Sequence, residues 1–197
     1  MGEASSQSDA SRPDLSGRRI IVGVSGGIAA YKTCTLVSRL AQAGAEVTVL
    51  MTPAAAKFVA PITFQALSGR PVYTSPWEHV ESSDPQHVAL ARRADLAIVA
   101  PCSMDCLARL VHGMTDDVVT LVLSAVDRAA QPVLLAPSMN EVMWRQPANQ
   151  RNLAQARADG FEVLEPAAGW QACRTVGVGR MPEAEELLRV VRERLGR

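Results

Sequence analysis

Five short apolar runs recur along the chain, and most of them are followed by a segment with helical spacing. They are RRIIVGVSG from residue 18, AEVTVLMT from 45, DLAIVAP from 95, QPVLLAP from 131 and FEVLEP from 161. Continuous apolar runs of this length are typical of strands that are buried on both faces of a sheet. Their alternation with helices predicts an α/β fold, a doubly wound Rossmann-like (flavodoxin-like) parallel sheet with right-handed crossovers.

The connecting segments carry recognisable helix and loop signals. Helical spacing extends over 28–43 and stops at Gly44, a residue that favours a helix end. FEVLEP is predicted to be the last strand, and it is followed by a long glycine-rich loop, AAGWQACRTVGVGRM, over 167–181. Loops of that length in a compact domain often cover binding sites. Other predicted elements are a helix-prone segment over 54–67 interrupted by Pro61, a short strand in RPVYTS, a polar loop over 75–86, a helix over 87–94, helical segments around Gly113 and a closing helix over 183–195.

The length and termini predict one folded unit. A chain of 197 residues fits a single domain with a full core. Residues 1–17 are polar and rich in serine, with no apolar stretch typical of a signal peptide, and we expect a disordered tail there. The single domain is therefore predicted to extend over 18–197.

The charge and cysteine content exclude several classes of function. Lys plus Arg and Asp plus Glu both number 20, and this zero net charge disfavours nucleic-acid or membrane-surface partners. No apolar stretch is long enough for a membrane span. The 4 cysteines match no secreted disulfide framework, and no CxxC or nearby histidine completes a metal site. We expect a cytoplasmic protein without a metal, with Cys102 and Cys106 packed as small residues beside a ligand.

Polar and small residues follow the ends of the predicted strands. In an open parallel sheet, ligands bind outside the carboxyl ends of the strands. The candidate positions are Ser25 to Gly27, Thr52 and Pro53, Pro101 to Ser103, and Pro137 to Asn140. We therefore expect the site at this edge.

The stretch GVSGGIAAYK, over 23–32, has the form of a loop that holds a phosphate at a helix N-terminus. It matches neither a Walker A loop nor G-x-G-x-x-G. The second strand also lacks the terminal acid that binds a dinucleotide ribose, because its only acid, Glu46, is at its start. A monophosphate such as flavin mononucleotide (FMN) fits better than a dinucleotide. A plain tight turn into a helix would explain the glycines about as well.

The string PSMNEVMW, over 137–144, is the most specific motif in the chain. An asparagine after a buried strand can simply cap the next helix. The string nevertheless resembles the P-x-M-N-x-x-M-W motif of the flavin-containing cysteine decarboxylases. The resemblance extends over nearly the whole chain after residue 18, because further segments occur in that family's order and spacing: SGGIAAYK, HVALARRADLAIVAP, LVHGMTDD, APSMNEVMWRQPANQRNL and ACRTVGVGRM.

The resemblance implies a role for each matching residue. His87 and Cys173 are the implied catalytic residues, and Asn140, with Gln171 and Ala172, would bind the substrate. The implied FMN-binding residues are Ser25, Gly26, Gly27, Ile28, Thr52, Ser103, Met104, Asp105, Cys106 and Ser138. The family segment after the fourth strand is commonly S-A-N-T or T-A-D-T, so Met104 and Cys106 depart from it.

Within the family, the chain looks most like the members that decarboxylate 4′-phosphopantothenoylcysteine to 4′-phosphopantetheine in coenzyme A biosynthesis. The resemblance implies that FMN oxidises the thiol-bearing carbon to a thioaldehyde, after which loss of CO2 leaves an enethiolate. His87 would be the base, Asn140 would hold the carboxylate and Cys173 would protonate the enethiolate.

Three alternatives remain open within this wider group. A peptidyl-cysteine decarboxylase acting on a lantibiotic-type peptide would share the flavin, His87 and Asn140. A prenyl-flavin synthase-like protein would lack the Asn140 motif, and a flavin-binding regulatory subunit would not need His87, Asn140 and Cys173 together. The resemblance also implies a homo-oligomer, a trimer or a dodecamer of trimers. Because the chain ends after the closing helix, we expect the synthetase that supplies the substrate to be separate or outside this sequence.

Overall fold

The central element is a parallel sheet of 6 strands in the order β3-β2-β1-β4-β5-β6. The computed structural model describes residues 14–78 and 86–196. The strands are β1 (Arg19–Val24), β2 (Glu46–Met51), β3 (Val72–Tyr73), β4 (Leu96–Cys102), β5 (Val133–Pro137) and β6 (Glu162–Val163). All neighbouring strands pair in parallel, which confirms the predicted Rossmann-like sheet.

Helices cover both faces of this sheet. They are α1 (Ala30–Gln42), α2 (Pro61–Ser68), α3 (Gln86–Arg93), α4 (Met104–Val111), α5 (Val118–Ser124), α6 (Glu141–Arg145), α7 (Pro147–Ala158) and α8 (Ala184–Leu195), with a short 3₁₀ helix at Ala55–Lys57. Successive β4 side chains alternate between the two cores, with Ile98 in one and Val99 in the other. The first core is closed by α1, α2 and α8, and the second by α3, α4, α5 and α7. Both faces of the strands are therefore buried, as the apolar runs predict.

The folded unit begins before the predicted boundary at residue 18. Leu15 is only 2% exposed and belongs to the first core. Its N–H donates to the carbonyl of Ala43 (3.0 Å), and Asp14 forms an ion pair with Arg192 of α8. The assignment of residues 14–17 to a disordered tail is therefore wrong, because a single leucine within a polar segment has no periodic signal. Residues 1–13 lie outside the described part of the chain.

Two further strands follow β6, so the prediction that FEVLEP is the last strand is wrong. They are β7 (Ala167–Trp170) and β8 (Val176–Arg180), an antiparallel hairpin separate from the main sheet. Their residues are glycine-rich and mostly exposed or half-buried, so the segment lacks the apolar pattern by which a strand is recognised. The segment predicted as a loop is therefore a hairpin, whose tip carries Cys173.

Helix α7 has no counterpart in the sequence analysis. Its residues are mostly polar and exposed, and Leu153 is one of its few buried side chains. Pro147 stands in its first turn, where proline favours a helix start. Among the described residues, no helix is long and apolar enough to cross a membrane.

Candidate functional site

Ser25 joins the ends of β1 and β4 beneath the site. Its hydroxyl donates to the carbonyl of Pro101 (2.7 Å) and accepts from the N–H of Ser103 (2.8 Å). The residue is only 1% exposed. Because its hydroxyl hydrogen is already used, Ser25 shapes the loop and can offer a ligand only its remaining acceptor capacity.

The N-terminus of α1 has the properties of an anion site. No side chain caps it at Ala29, and in the described residues the N–H groups of 26–29 have no hydrogen-bond partner. Ile28 is exposed beside them. An anion placed there would satisfy these donors and interact favourably with the helix dipole.

The two loop glycines differ in their surroundings. A Cβ at Gly26 would lie 2.5 Å from the Cβ of Ala54, so this residue permits close packing between the loops after β1 and β2. A Cβ at Gly27 would meet no atom within 4 Å, so Gly27 borders open space. The loop over 26–29, here called the cradle, therefore combines backbone N–H groups that lack a partner in the described residues with open space at Gly27.

Two hydroxyl groups lie in neighbouring loops at the same edge. Thr52 Oγ1 accepts from the N–H of Ala55 (3.1 Å), and Ser103 Oγ accepts from the N–H of Cys106 (3.2 Å). Each hydroxyl keeps its hydrogen for another acceptor. Together with the free N–H groups at α1, this donor set suits a phosphate monoester, so the residues present fit the phosphate group of FMN.

The segment after β4 carries three of the candidate cofactor-binding residues, and these residues differ in their exposure. Asp105 is exposed and forms an ion pair with Arg109 (2.9 Å), while Met104 is half-buried. Cys106 lies in the second core, only 1% exposed. A hydrogen bond with the Cys102 thiol, reinforced by burial, raises its pKa well above the ordinary value. The Cys106 side chain is therefore packed inside the protein.

Asn140 caps a helix and also contacts Cys173. Its Oδ1 accepts from the N–H of Val142 (2.8 Å) and caps α6. This bond fixes the orientation of the amide, so Nδ2 points to the hairpin and donates to Cys173 Sγ (3.1 Å). The capping and the functional interpretations of Asn140 are thus compatible. Ser138 lies just before it, and its N–H donates to the carbonyl of Cys102 (3.0 Å).

Cys173 lies exposed at the tip of the hairpin. Its sulfur is 3.0 Å from Thr175 Oγ1, and this contact, followed by the one from Asn140, lowers the pKa of the thiol. Hydrogen bonds donated to sulfur favour the thiolate, so this cysteine exchanges its proton more easily than an ordinary one. Arg174, between them, has a positive φ of 65°, which completes the tight turn.

The hairpin is held against the segment before α6. The N–H of Met139 donates to the carbonyl of Gly179 (2.9 Å), and a Cβ at Gly179 would overlap the Met139 carbonyl oxygen. The side chain of Gln171 is buried beneath the tip, whereas Ala172 is exposed. This packing brings Asn140 to Gln171 and Cys173, which lie 31 and 33 residues further along the chain.

His87 stands in the first turn of α3 and is half-buried. Helix α3 leads into the start of β4, so its first turn lies towards the carboxyl edge of the sheet, where the other candidates are. Among the described residues, no hydrogen bond links His87 to Asn140 or Cys173. Another histidine, His79, lies outside the described residues.

The contribution of Thr175 is absent from the sequence analysis. A threonine two residues after a cysteine carries no signal by itself, because only the turn at Arg174 brings the hydroxyl to the sulfur. The described residues contain no group of side chains able to hold a metal ion.

Comparisons with known proteins decide the family. The profile of the family described as Flavoprotein matches residues 8–196. The chain belongs to this family. Its curated relatives include the coenzyme A biosynthesis bifunctional protein CoaBC of Vibrio vulnificus, which is 45% identical over 174 residues, covering 88% of this chain and 43% of the relative. CoaBC of Mycolicibacterium smegmatis is 48% identical over 170 residues, covering 86% and 40%. This Flavoprotein chain thus spans less than half the length of these relatives.

Solved structures of two decarboxylases superpose well on this chain. A mutant of PPC decarboxylase complexed with pantothenoylaminoethenethiol gives a TM-score of 0.83 at 26% identity, covering 91% of this chain and 99% of that one. The FMN-dependent cysteine decarboxylase SpaF gives 0.79 at 28% identity, covering 93% and 99%. These similarities confirm the fold, and the two solved structures are those of a PPC decarboxylase and an FMN-dependent cysteine decarboxylase.

Proposed function

We propose that this protein binds FMN and decarboxylates 4′-phosphopantothenoylcysteine to 4′-phosphopantetheine. The observation that carries the proposal is the contact between the Asn140 amide and the Cys173 thiol, 3.1 Å apart, at the edge that also holds the uncapped α1 N-terminus. The CoaBC relatives, 44% to 48% identical, support the small phosphorylated substrate. The similarity to PPC decarboxylase supports the reaction.

The residues that would hold FMN are those at the strand ends. The N–H groups at Gly26 to Ala29 and the hydroxyls of Thr52 and Ser103 would bind the phosphate. When bound, FMN would supply the oxidation of the thiol-bearing carbon and the later return of the electrons. Met104 and Ser138, half-buried at the same edge, would contact the cofactor through backbone and side-chain atoms.

The remaining site residues would orient the substrate and move protons. Asn140 would donate a hydrogen bond to the substrate carboxylate, exchanging its bond to sulfur for one to the ligand. His87 would take the proton of the substrate thiol, since histidine exchanges protons near neutral pH. Cys173, with its lowered pKa, would give its proton to the carbon of the enethiolate and then regain one from water.

The direct test is turnover of defined substrates by the purified protein. Incubation with FMN and 4′-phosphopantothenoylcysteine should give 4′-phosphopantetheine and CO2, detected by mass, and acid release should yield FMN from the isolated protein. A peptide with a C-terminal cysteine serves as the competing substrate. Turnover of the peptide alone would contradict the proposed substrate, and recovery of FAD or NAD would contradict the proposed cofactor. Flavin binding with no turnover of either substrate would favour a regulatory subunit.

We further propose that the protein works as a homo-oligomer, either a trimer or a dodecamer of trimers. Large apolar side chains are exposed around the α1 N-terminus and the loop after β2, which is costly in a monomer. They are Ile28, Tyr31, Phe58 and Ile62. Light scattering should report a trimer or a multiple of it. A monomer at micromolar concentration would contradict the proposal.

The proposal also includes the cellular compartment of the protein and the source of its substrate. All four cysteines are free thiols, which suits the reducing cytoplasm. The substrate would come from a synthetase that joins cysteine to phosphopantothenate, an activity consistent with the bifunctional relatives.

A further inference from the structure

The side chain of Gln171 has a defined orientation beneath the hairpin tip. Its Nε2 donates to the carbonyl of Val178 (3.1 Å), so its Oε1 faces the opposite way, towards Asn140 and Cys173. The residue is only 6% exposed. Its backbone N–H and carbonyl bond to Thr175 (2.8 Å) and Arg174 (2.9 Å), which ties the same residue into the turn.

Four donor groups converge on Gln171 Oε1 from two separate elements. On one side are Asn140 Nδ2 and the N–H of Glu141, each at 3.3 Å. On the other are the Cys173 thiol and the Thr175 hydroxyl, each at 3.5 Å. One amide oxygen therefore connects the start of α6 to the hairpin tip, between the two side chains proposed to act on the substrate.

We propose that Gln171 is a positioning residue, which holds the Asn140 amide and the Cys173 thiol in contact with each other. We also propose that it does not contact the substrate. This inference rests on the proposed function. Its buried oxygen faces protein donors on both sides, and its nitrogen is occupied by a backbone carbonyl, so neither polar end faces the open edge.

The same oxygen also affects the proton on Cys173. Asn140 donates to sulfur and favours the thiolate, and Thr175 does the same when its single hydroxyl hydrogen points to sulfur instead of to Gln171 Oε1. Gln171 Oε1 accepts from the thiol and favours its protonated form. A general acid must hold its proton until the substrate needs it. Gln171 therefore partly opposes the two donors, whose combined effect still lowers the pKa of the thiol.

Two substitutions separate positioning from substrate contact. Gln171→Glu keeps the shape and the acceptor but adds a negative charge near sulfur and replaces the Nε2 donor to Val178 with an oxygen, whereas Gln171→Leu keeps the approximate volume and removes both the acceptor and that donor. Gln146→Glu, at an exposed glutamine between α6 and α7, adds the same charge away from the tip and is the matched control. Alkylation of Cys173 as a function of pH is read by peptide mass, and trypsin cleavage after Arg174 reports closure of the turn.

We expect Gln171→Glu to move the alkylation profile to higher pH, with roughly tenfold slower reaction at neutral pH, because a nearby negative charge disfavours the thiolate. Its cleavage should be only slightly faster than that of the parent protein, because the acceptor is kept and only the bond to Val178 is lost. Gln171→Leu should be cleaved several-fold faster, and its profile should move towards that of an ordinary thiol, because Asn140 and Thr175 are no longer held against sulfur. The control should match the parent protein in both measurements.

An unchanged profile in Gln171→Glu would overturn the inference, and so would parent-like cleavage in a folded Gln171→Leu. If circular dichroism shows Gln171→Leu unfolded, the Gln171→Glu profile decides alone. Raised KM with unchanged alkylation in both variants would indicate substrate contact instead. Both measurements are made without substrate, so they test Gln171 independently of whether the parent protein decarboxylates the proposed substrate.

Discussion

The loop at the α1 N-terminus and the hairpin at Cys173 face the same edge of the sheet but are built differently. The first is part of the parallel sheet, and its Ser25 is buried and bonded to both Pro101 and Ser103. The second is an antiparallel hairpin outside that sheet, with its tip exposed and held by side-chain amides. The proposed FMN would thus bind to backbone that belongs to the parallel sheet. The proposed acid, Cys173, lies on a hairpin that is less buried.

This difference suits the two tasks. A tightly bound cofactor benefits from a preformed cradle, since ordering a loop on binding would cost conformational entropy. A group that covers a substrate must let it enter and leave, and weakly buried elements open more readily. Substitutions in the hairpin should therefore change chemistry at constant flavin content, and substitutions in the loop should change flavin content first.

The largest effect is expected at Cys173. Cys173→Ser should bind flavin normally but lower product formation at least about a hundredfold, because a serine hydroxyl is a far weaker acid than a thiol of pKa about 8.5. Under anaerobic conditions substrate should bleach the visible flavin absorbance in one turnover and leave a bound species lighter than product by two hydrogens. Normal product formation would make Cys173 a bystander.

His87 should act at an earlier step than Cys173. His87→Asn should leave the flavin unbleached by substrate, because no base would take the thiol proton. His112→Asn, at the exposed C-terminal end of α4, is the matched control and should behave as the parent protein. Bleaching at the parent rate in His87→Asn would contradict its assigned role.

The next effect is expected at Asn140, where the hairpin meets the sheet. Asn140→Asp keeps the oxygen that caps α6, so the free energy of unfolding should hardly change. It replaces the amide donor with a negative charge facing the substrate carboxylate, and turnover should fall by roughly a hundredfold or more. Steady-state assays, with Asn152→Asp in α7 as control, check this. Parent-like turnover would exclude Asn140 as the carboxylate contact.

A moderate effect is expected from the two loop glycines. Gly26→Ala should lower the free energy of unfolding by about 1–3 kcal/mol, because its Cβ would crowd Ala54. Gly27→Ala should unfold like the parent protein when flavin-free, yet bind FMN more weakly, because its Cβ enters the cradle. Thermal unfolding and flavin titration measure both effects. Equal flavin affinity in Gly27→Ala and the parent protein would place the phosphate elsewhere.

The smallest effect is expected at Thr175. Its hydrogen bond is the main cause of the lowered pKa of Cys173, so Thr175→Val should raise that pKa towards the ordinary value. Less thiolate would then be present at neutral pH, and alkylation of Cys173 should slow a few-fold. Thr115→Val, at an exposed loop threonine, is the control. An alkylation profile identical to that of the parent protein would exclude this role of the hydroxyl.

The strands of the main sheet could be predicted because burial on both faces requires apolar residues at every position. The hairpin could not, since its residues are glycine-rich and mostly exposed or half-buried, and its strands pair with each other instead of entering the sheet. Helix α7 was missed for a related reason, because only a few of its side chains are buried. Leu15 was assigned to the tail because its burial depends on contacts far away in sequence.

The sequence by itself determined the sheet, the edge at which the site lies and, through PSMNEVMW and its companion segments, the family. Local patterns indicate those features, namely the apolar runs and the order of short motifs. Only the tertiary structure decided that Cys106 is buried, that Asn140 both caps α6 and faces Cys173, and that Gln171 joins the two. Each of these features depends on contacts between residues that are far apart in the chain. No local sequence pattern indicates such contacts.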